Sequence, residues 1–188
     1  MLSICKLKGD MSVMARSSMK QIENDEIKII LELQKNARES IDKIAERCNF
    51  SRQKVWRIMN KLEEENKIWG YTAVTDDEKM GVNRYFVLIK RTLTPLTNDL
   101  AEKIVKRDIE KSIAKEAITI ENSYFVHGKY DWIICLTAEN IKQAKKFCDI
   151  LQNVYYGYIA NIIILENLFS IRNHGLLNPN RDEIKDFL

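Results

Sequence analysis

Two short apolar stripes separated by a two-residue turn constrain this 188-residue chain more than any other feature in it. Ile41, Ile44, Ala45 and Cys48 fall at i, i+3, i+4 and i+7, and Val55, Ile58, Met59 and Leu62 repeat that spacing, so each set lies along one helix face. Ser40 and Ser51 stand where an N-cap oxygen accepts from the first free backbone N–H groups, and Asp42 adds negative charge to the first turn. Only Asn49 and Phe50 separate the helices, and Asn tolerates the left-handed backbone that a sharp bend requires. Asn66 offers a similar stop to the second helix, after which Trp69 to Val74 reads as a short strand. Helix, tight turn, helix and wing predict a winged helix-turn-helix.

The charge pattern points the same way. Between Ser51 and Leu62 the chain has Arg52, Lys54, Arg57 and Lys61 and no acid, and Glu63, Glu64 and Glu65 then reverse the sign. Opposite the apolar stripe lie Gln53, Trp56, Arg57, Asn60 and Lys61. In the major groove Arg reads guanine edges, Gln and Asn read adenine edges, and Lys or Arg neutralises phosphate. A basic helix face alone is usually just solvated. Combined with two phased stripes and a two-residue turn, it makes double-stranded DNA the expected partner. Gln53, Trp56, Arg57, Asn60 and Lys61 are expected at the DNA, with Arg52 and Lys54 on phosphates and Ser51 as a cap that can also meet one. For Arg57 the alternative is an anchor to Glu residues of its own domain; for Trp56, packing at the edge of the core.

A helix capped by Asn24, with Asp25 and Glu26 in its first turn and Ile27, Ile30, Leu31 and Gln34 along one face, is expected to complete a three-helix core with Phe50 as the plug. Residues 1–22 carry Lys6, Lys8, Arg16 and Lys20 against Asp10 alone. They read either as a basic, disordered arm or as the product of an early start codon, since Met11, Met14 and Met19 also offer starts. The expected domain limits are 23–75 for the winged helix-turn-helix, 76–82 for a polar, acidic linker, 83–169 for a second domain and 170–188 for a tail.

The second domain has a different texture. Arg84 to Arg91 includes a run of five apolar residues rich in β-branched and aromatic types, as in a strand covered on both faces. A helix from Asn98 and helical turns around Glu110 follow; then come strands over Ile118–Val126 and Tyr130–Thr137, a helix carrying Ile141, Ala144, Cys148 and Leu151, and a strand from Ile159. The order β-α-β-β-α-β is the split ferredoxin-like unit, and the whole chain is therefore expected to be α+β. Two helices cover one face of such a sheet, yet these strands are apolar on both. A second subunit is expected on the open face, joined by residues of one parity within 85–89 and 162–165.

Composition narrows the rest. A net charge of +3 excludes a polybasic chain, so any nucleic-acid contact must be local. Cys5, Cys48, Cys135 and Cys148 have no CxxC spacing and read as reduced thiols in a cytoplasmic protein. No apolar run approaches the roughly 18 residues of a membrane span. His127 and His174 are isolated, so no metal site, cofactor or catalytic residue is expected.

The stretch IAERCNFSRQKVWRIMNKLEEENKIWGYTAVTD, followed by βαββαβ with GKYDW at its centre, resembles the Lrp/AsnC (feast/famine) transcriptional regulators of bacteria and archaea, archaeal-type members in particular. The resemblance covers about residues 24–169 and is carried by Ser51, Val55, Arg57, Ile58 and Leu62, by Gly70-Tyr71-Thr72-Ala73, and by Gly128 with Asp131. It implies a DNA-binding homodimer, often assembled into tetramers or octamers, that senses amino acids near the turn matching His127, Gly128 and Asp131. Asn49 and Asn66 depart from the family's glycines, the segment after Asn98 is longer, and residues 170–188 are additional. For Gly128 the alternative role is a plain turn; for Asp131 it is a turn cap. Siroheme decarboxylases share the two-domain layout, and there His127 would be the catalytic or haem-contacting candidate. A weaker reading is an architectural protein that binds DNA without sequence preference.

Overall fold

The computed structural model describes the backbone from Ile4 to Leu188 and the side chains from Met19 onward. It divides into two units, one of residues 1–74 with Arg172–Leu177, the other of Thr75–Ile171 with Asn178–Leu188.

The first unit contains α1 (Ile4–Lys35), α2 (Ile41–Cys48) and α3 (Arg52–Glu64). Ser40 and Ser51 cap α2 and α3, their hydroxyls accepting from the N–H groups of Lys43 and Lys54. Asn49 takes the left-handed bend at φ 56°, and Asn66 another at φ 54°. Ile44, Ala45 and Cys48 pack against Val55, Ile58 and Leu62, with Ile29 and Leu33 of α1 closing the core and Phe50 at its margin. The two stripes read from the sequence are thus the core faces of α2 and α3.

Three expectations are corrected here. Helix α1 begins at Ile4 rather than at a cap on Asn24. Residues 4–23 contain one glycine and no proline to stop it. The arm expected over 1–22 therefore falls within this helix from residue 4, while side chains 1–18 lie outside the described residues. The buried face of α1 is also rotated from the expected one: Asp25, Glu26, Ile29 and Leu33 face inward, and Ile27 and Leu31 are about half exposed. Turned this way, the two carboxylates meet three lysine ammonium groups, an interaction that apolar periodicity does not register. Lastly, Trp69–Val74 is not a strand in this structure and pairs with no other strand among the described residues. A ladder needs a second backbone to exchange hydrogen bonds with.

The second unit carries β1 (Asn83–Arg91), α4 (Asn98–Val105), α5 (Asp108–Ile113), β2 (Ile118–Phe125), β3 (Trp132–Ala138), α6 (Ile141–Val154) and β4 (Ile159–Glu166). The sheet is antiparallel in the order β2-β3-β1-β4, with a register shift in β2 between Ile120 and Asn122. Tyr85, Val87 and Ile89 of β1 join Trp132, Ile134 and Leu136 of β3 and Phe147 and Leu151 of α6 in one core. Alternation along the strands sends Phe86, Leu88, Ile133, Ile163 and Leu165 to the opposite face. There Phe86 stands across from Leu165, and Leu88 across from both Ile163 and Ile133.

Beyond β4 lie a small hairpin, β5 (Arg172–Asn173) with β6 (Leu176–Leu177), and a 3₁₀ helix, Arg181–Phe187. The Phe187 ring returns to within 5.5 Å of Phe169. Cys48, Cys135 and Cys148 are buried free thiols, and burial pushes Cys148 up to about 11. No helix among the described residues is long and apolar enough to cross a membrane.

Candidate nucleic-acid interface

On α3 the basic residues divide into two sets. Lys54 and Lys61 turn toward α1. The Lys54 Nζ lies 2.7 Å from Asp25 and 3.9 Å from the centre of the Phe50 ring. The Lys61 Nζ lies 2.7 Å from Glu26 and 3.6 Å from Glu65, and Lys67 reaches the same two carboxylates at 2.7 and 2.9 Å. Asp25 and Glu26 are buried. The Lys54 hydrogen bond holds Asp25 below the ordinary carboxylate range, and those from Lys61 and then Lys67 do the same for Glu26. Lys54 and Lys61, which sequence reasoning placed at the DNA, are engaged in ion pairs within their own unit. The signal for it was available: two adjacent acids at the start of a core helix need cations to accompany them inward.

What remains outward is the set Gln53, Trp56, Arg57 and Asn60, at i, i+3, i+4 and i+7 on one face of α3. Trp56 is 57% exposed, so it does not pack at the core edge. Arg57 is exposed and makes no side-chain hydrogen bond or ion pair among the described residues, so it does not anchor the nearby glutamates. Arg52 is also exposed, with a 3.1 Å ion pair to Asp42 that is open to solvent. Ser51 holds the helix N-terminus between them. The face is a strip of donors and one aromatic ring, the composition that suits base edges and phosphates in a major groove.

At the β2–β3 turn of the second unit, His127 and Gly128 are exposed, and Gly128 has φ 153°. Asp131 is engaged locally: its carboxylate accepts from the Arg91 backbone N–H at 2.9 Å and pairs with the Lys90 Nζ at 3.0 Å. Those contacts, the Arg91 backbone bond first, hold its carboxyl below the usual carboxylate range. The stacked Phe125 and Trp132 rings, 5.0 Å apart, brace the turn from the strand ends.

Residues 26–68 match the family of winged helix-turn-helix DNA-binding domains. An HTH-type transcriptional regulator of Pyrococcus abyssi is 30% identical over 120 residues, 64% of this chain and 75% of the relative. The chain belongs to the HTH-type transcriptional regulators. Its fold is that of an AsnC family transcriptional regulator from Agrobacterium tumefaciens, at a TM-score of 0.59 and 18% identity over 82% of this chain and 95% of that one. A Neisseria meningitidis regulator solved as a complex with L-Met matches at TM-score 0.59 and 18% identity, covering 83% and 96%. The α+β architecture expected from the sequence is the one observed.

Proposed function

We propose that this family member regulates transcription as a homodimer whose two α3 helices bind half-sites in promoter DNA through Gln53, Trp56, Arg57 and Asn60. The observation that carries the reading is the division of cations on α3. Lys54 and Lys61 are committed to Asp25 and Glu26, while Arg57, without a side-chain partner among the described residues, stands in an outward row with Gln53, Trp56 and Asn60. The open sheet face bearing Phe86, Leu88, Ile133, Ile163 and Leu165 supports a dimer, since apolar residues on a sheet without covering helices gain by meeting a second copy. Twofold symmetry then presents two heads to half-sites about 34 Å apart or a multiple of it.

The same reading gives the dimer an amino-acid effector at the His127–Asp131 turn. The L-Met complex of the Neisseria relative and the exposed glycine turn support this. Both the regulator names of the relatives and the outward face of α3 weigh against the decarboxylase alternative. The test is selection of bound sites from a random DNA pool, followed by Arg57→Ala on the selected duplex. A loss of about 1–3 kcal/mol with relaxed specificity at one position is the expected result. Unchanged affinity would remove Arg57 from the interface.

A further inference from the structure

Helices α2 and α3 keep their apolar side chains out of water with one exception. Ile44, Ala45, Cys48, Val55, Ile58 and Leu62 are buried, and Ile41, Phe50 and Met59 are partly covered against them. Among the described residues from 40 to 65, Trp56 is the only large apolar side chain left exposed, at 57%. It faces outward with Gln53 one turn before it, Asn60 one turn after it and Arg57 beside it. From Gln53 to Asn60 the helix rises about 10 Å, the length of about three base-pair steps.

Trp132 shows how this chain treats a tryptophan that it uses for packing. That ring is 6% exposed, stacks on Phe125 at 5.0 Å and donates from Nε1 to the Ser123 hydroxyl at 2.8 Å. Trp56 pairs with no other ring among the described residues. A single exposed apolar residue is ordinary on a surface. This one stands within a row of hydrogen-bonding groups, so whatever receives the row must offer an apolar spot among polar ones.

The major groove has one such spot. Guanine, cytosine and adenine present only donors and acceptors there, whereas thymine presents its 5-methyl group beside O4. A ring pressed onto a purine or cytosine edge would strip water from polar groups without replacing their hydrogen bonds. Against a methyl group both surfaces are carbon, and contact gains the free energy of removing them from water.

We propose that Trp56 is a specificity-determining residue of the reading face, its ring covering the 5-methyl group of a thymine in each half-site. This rests on the DNA-binding reading above. Gln53, Arg57 and Asn60 recognise bases by hydrogen bonds, so loss of a methyl group leaves their contacts intact and is felt by Trp56 alone.

The test uses the full chain and the duplex selected from a random pool, with each thymine of the half-site replaced in turn by deoxyuridine. That exchange removes one methyl group and leaves every hydrogen-bonding atom of the base edge in place. At one thymine the unmodified protein should lose about fourfold in affinity, the factor for returning one methyl group to water. Trp56→Ala should bind more weakly and no longer distinguish the two bases. Trp56→Phe, which keeps a ring and lacks the N–H, should retain at least about a twofold difference. A selected half-site without thymine, or an unmodified protein indifferent to the methyl group at every thymine, overturns the proposal. So does a difference that survives in Trp56→Ala, or one lost equally in Trp56→Phe, which would assign the contact to the indole N–H. If the unmodified protein bound no selected duplex, the DNA-binding reading itself would fall, and the role of Trp56 with it.

Discussion

Asp25 on α1 and Lys54 on α3 meet at 2.7 Å across 29 residues of sequence, with Asp25 6% exposed. The pair orients α3 on α1, and it fixes which side of α3 faces outward. Lys54→Met should therefore destabilise the protein by about 1–2 kcal/mol, because the buried Asp25 carboxylate loses its cation; the lower part of the usual range applies because Lys54 is partly solvated. Thermal melts check the cost. The slope of DNA affinity against salt should stay unchanged, whereas removal of a phosphate-bound lysine would reduce it by about one.

Acid should act on the same ties. Asp25 and Glu26 both lie below their ordinary values of 3.8 and 4.5, chiefly through hydrogen bonds from Lys54 and Lys61. A depressed carboxylate stabilises the fold above its unfolded value, and that stability is lost as pH falls through the folded one. The first unit should thus hold its stability down to about pH 5 and lose it progressively below about pH 4. In Asp25→Asn with Glu26→Gln the neutral-pH stability should be lower and the acid limb shallower. Parallel melting curves for the variant and the parent between pH 3 and 6 would sink this account.

The two faces of α2 and α3 were legible because their apolar spacing is local and their caps are serine hydroxyls at fixed offsets, Ser40 and Ser51. The second unit was legible for a related reason: its strands are dense in β-branched residues and its turns are short. Three things were hidden, each depending on partners far along the chain. The inward turn of Lys54 needs Asp25, the rotation of α1 needs Lys61 and Lys67, and the burial of Arg84 needs Glu121 placed by a shift in strand register. Helical and strand periodicity report the neighbours at i+2 to i+4 and carry no information about ion pairs 29 to 41 residues away. Trp69–Val74 was misread for the complementary reason, since its composition suits a strand and no backbone among the described residues pairs with it.

The open face of the sheet gives a prediction about assembly. Leu165 is 48% exposed and lies across from Phe86, so a charged residue there disturbs little within one chain. Leu165→Arg should convert a dimer to a monomer in sedimentation equilibrium, leaving the melting of an isolated chain nearly unchanged. DNA affinity for a paired site should fall by about a hundredfold or more, as avidity is lost, while a single half-site is bound as before. A variant that remained dimeric would place the subunit contact elsewhere.

The turn at Asp131 gives the last. Its carboxylate already accepts from the Arg91 N–H and the Lys90 ammonium, yet an ionised carboxylate has about four acceptor sites, so about two remain for the ammonium of an amino acid. Exposed N–H groups beside Gly128 would take the amino acid's own carboxylate. In a thermal-shift screen of the common amino acids, at least one should therefore raise Tm in proportion to its occupancy. Asp131→Asn keeps the shape and one acceptor but removes the charge, and it should weaken that ligand by about tenfold, equivalent to about 1.4 kcal/mol. Gly128→Val should weaken it through the backbone, since a β-branched side chain is strained at φ 153°. If both variants kept the full ligand-induced shift, the ligand would bind at another place on the protein.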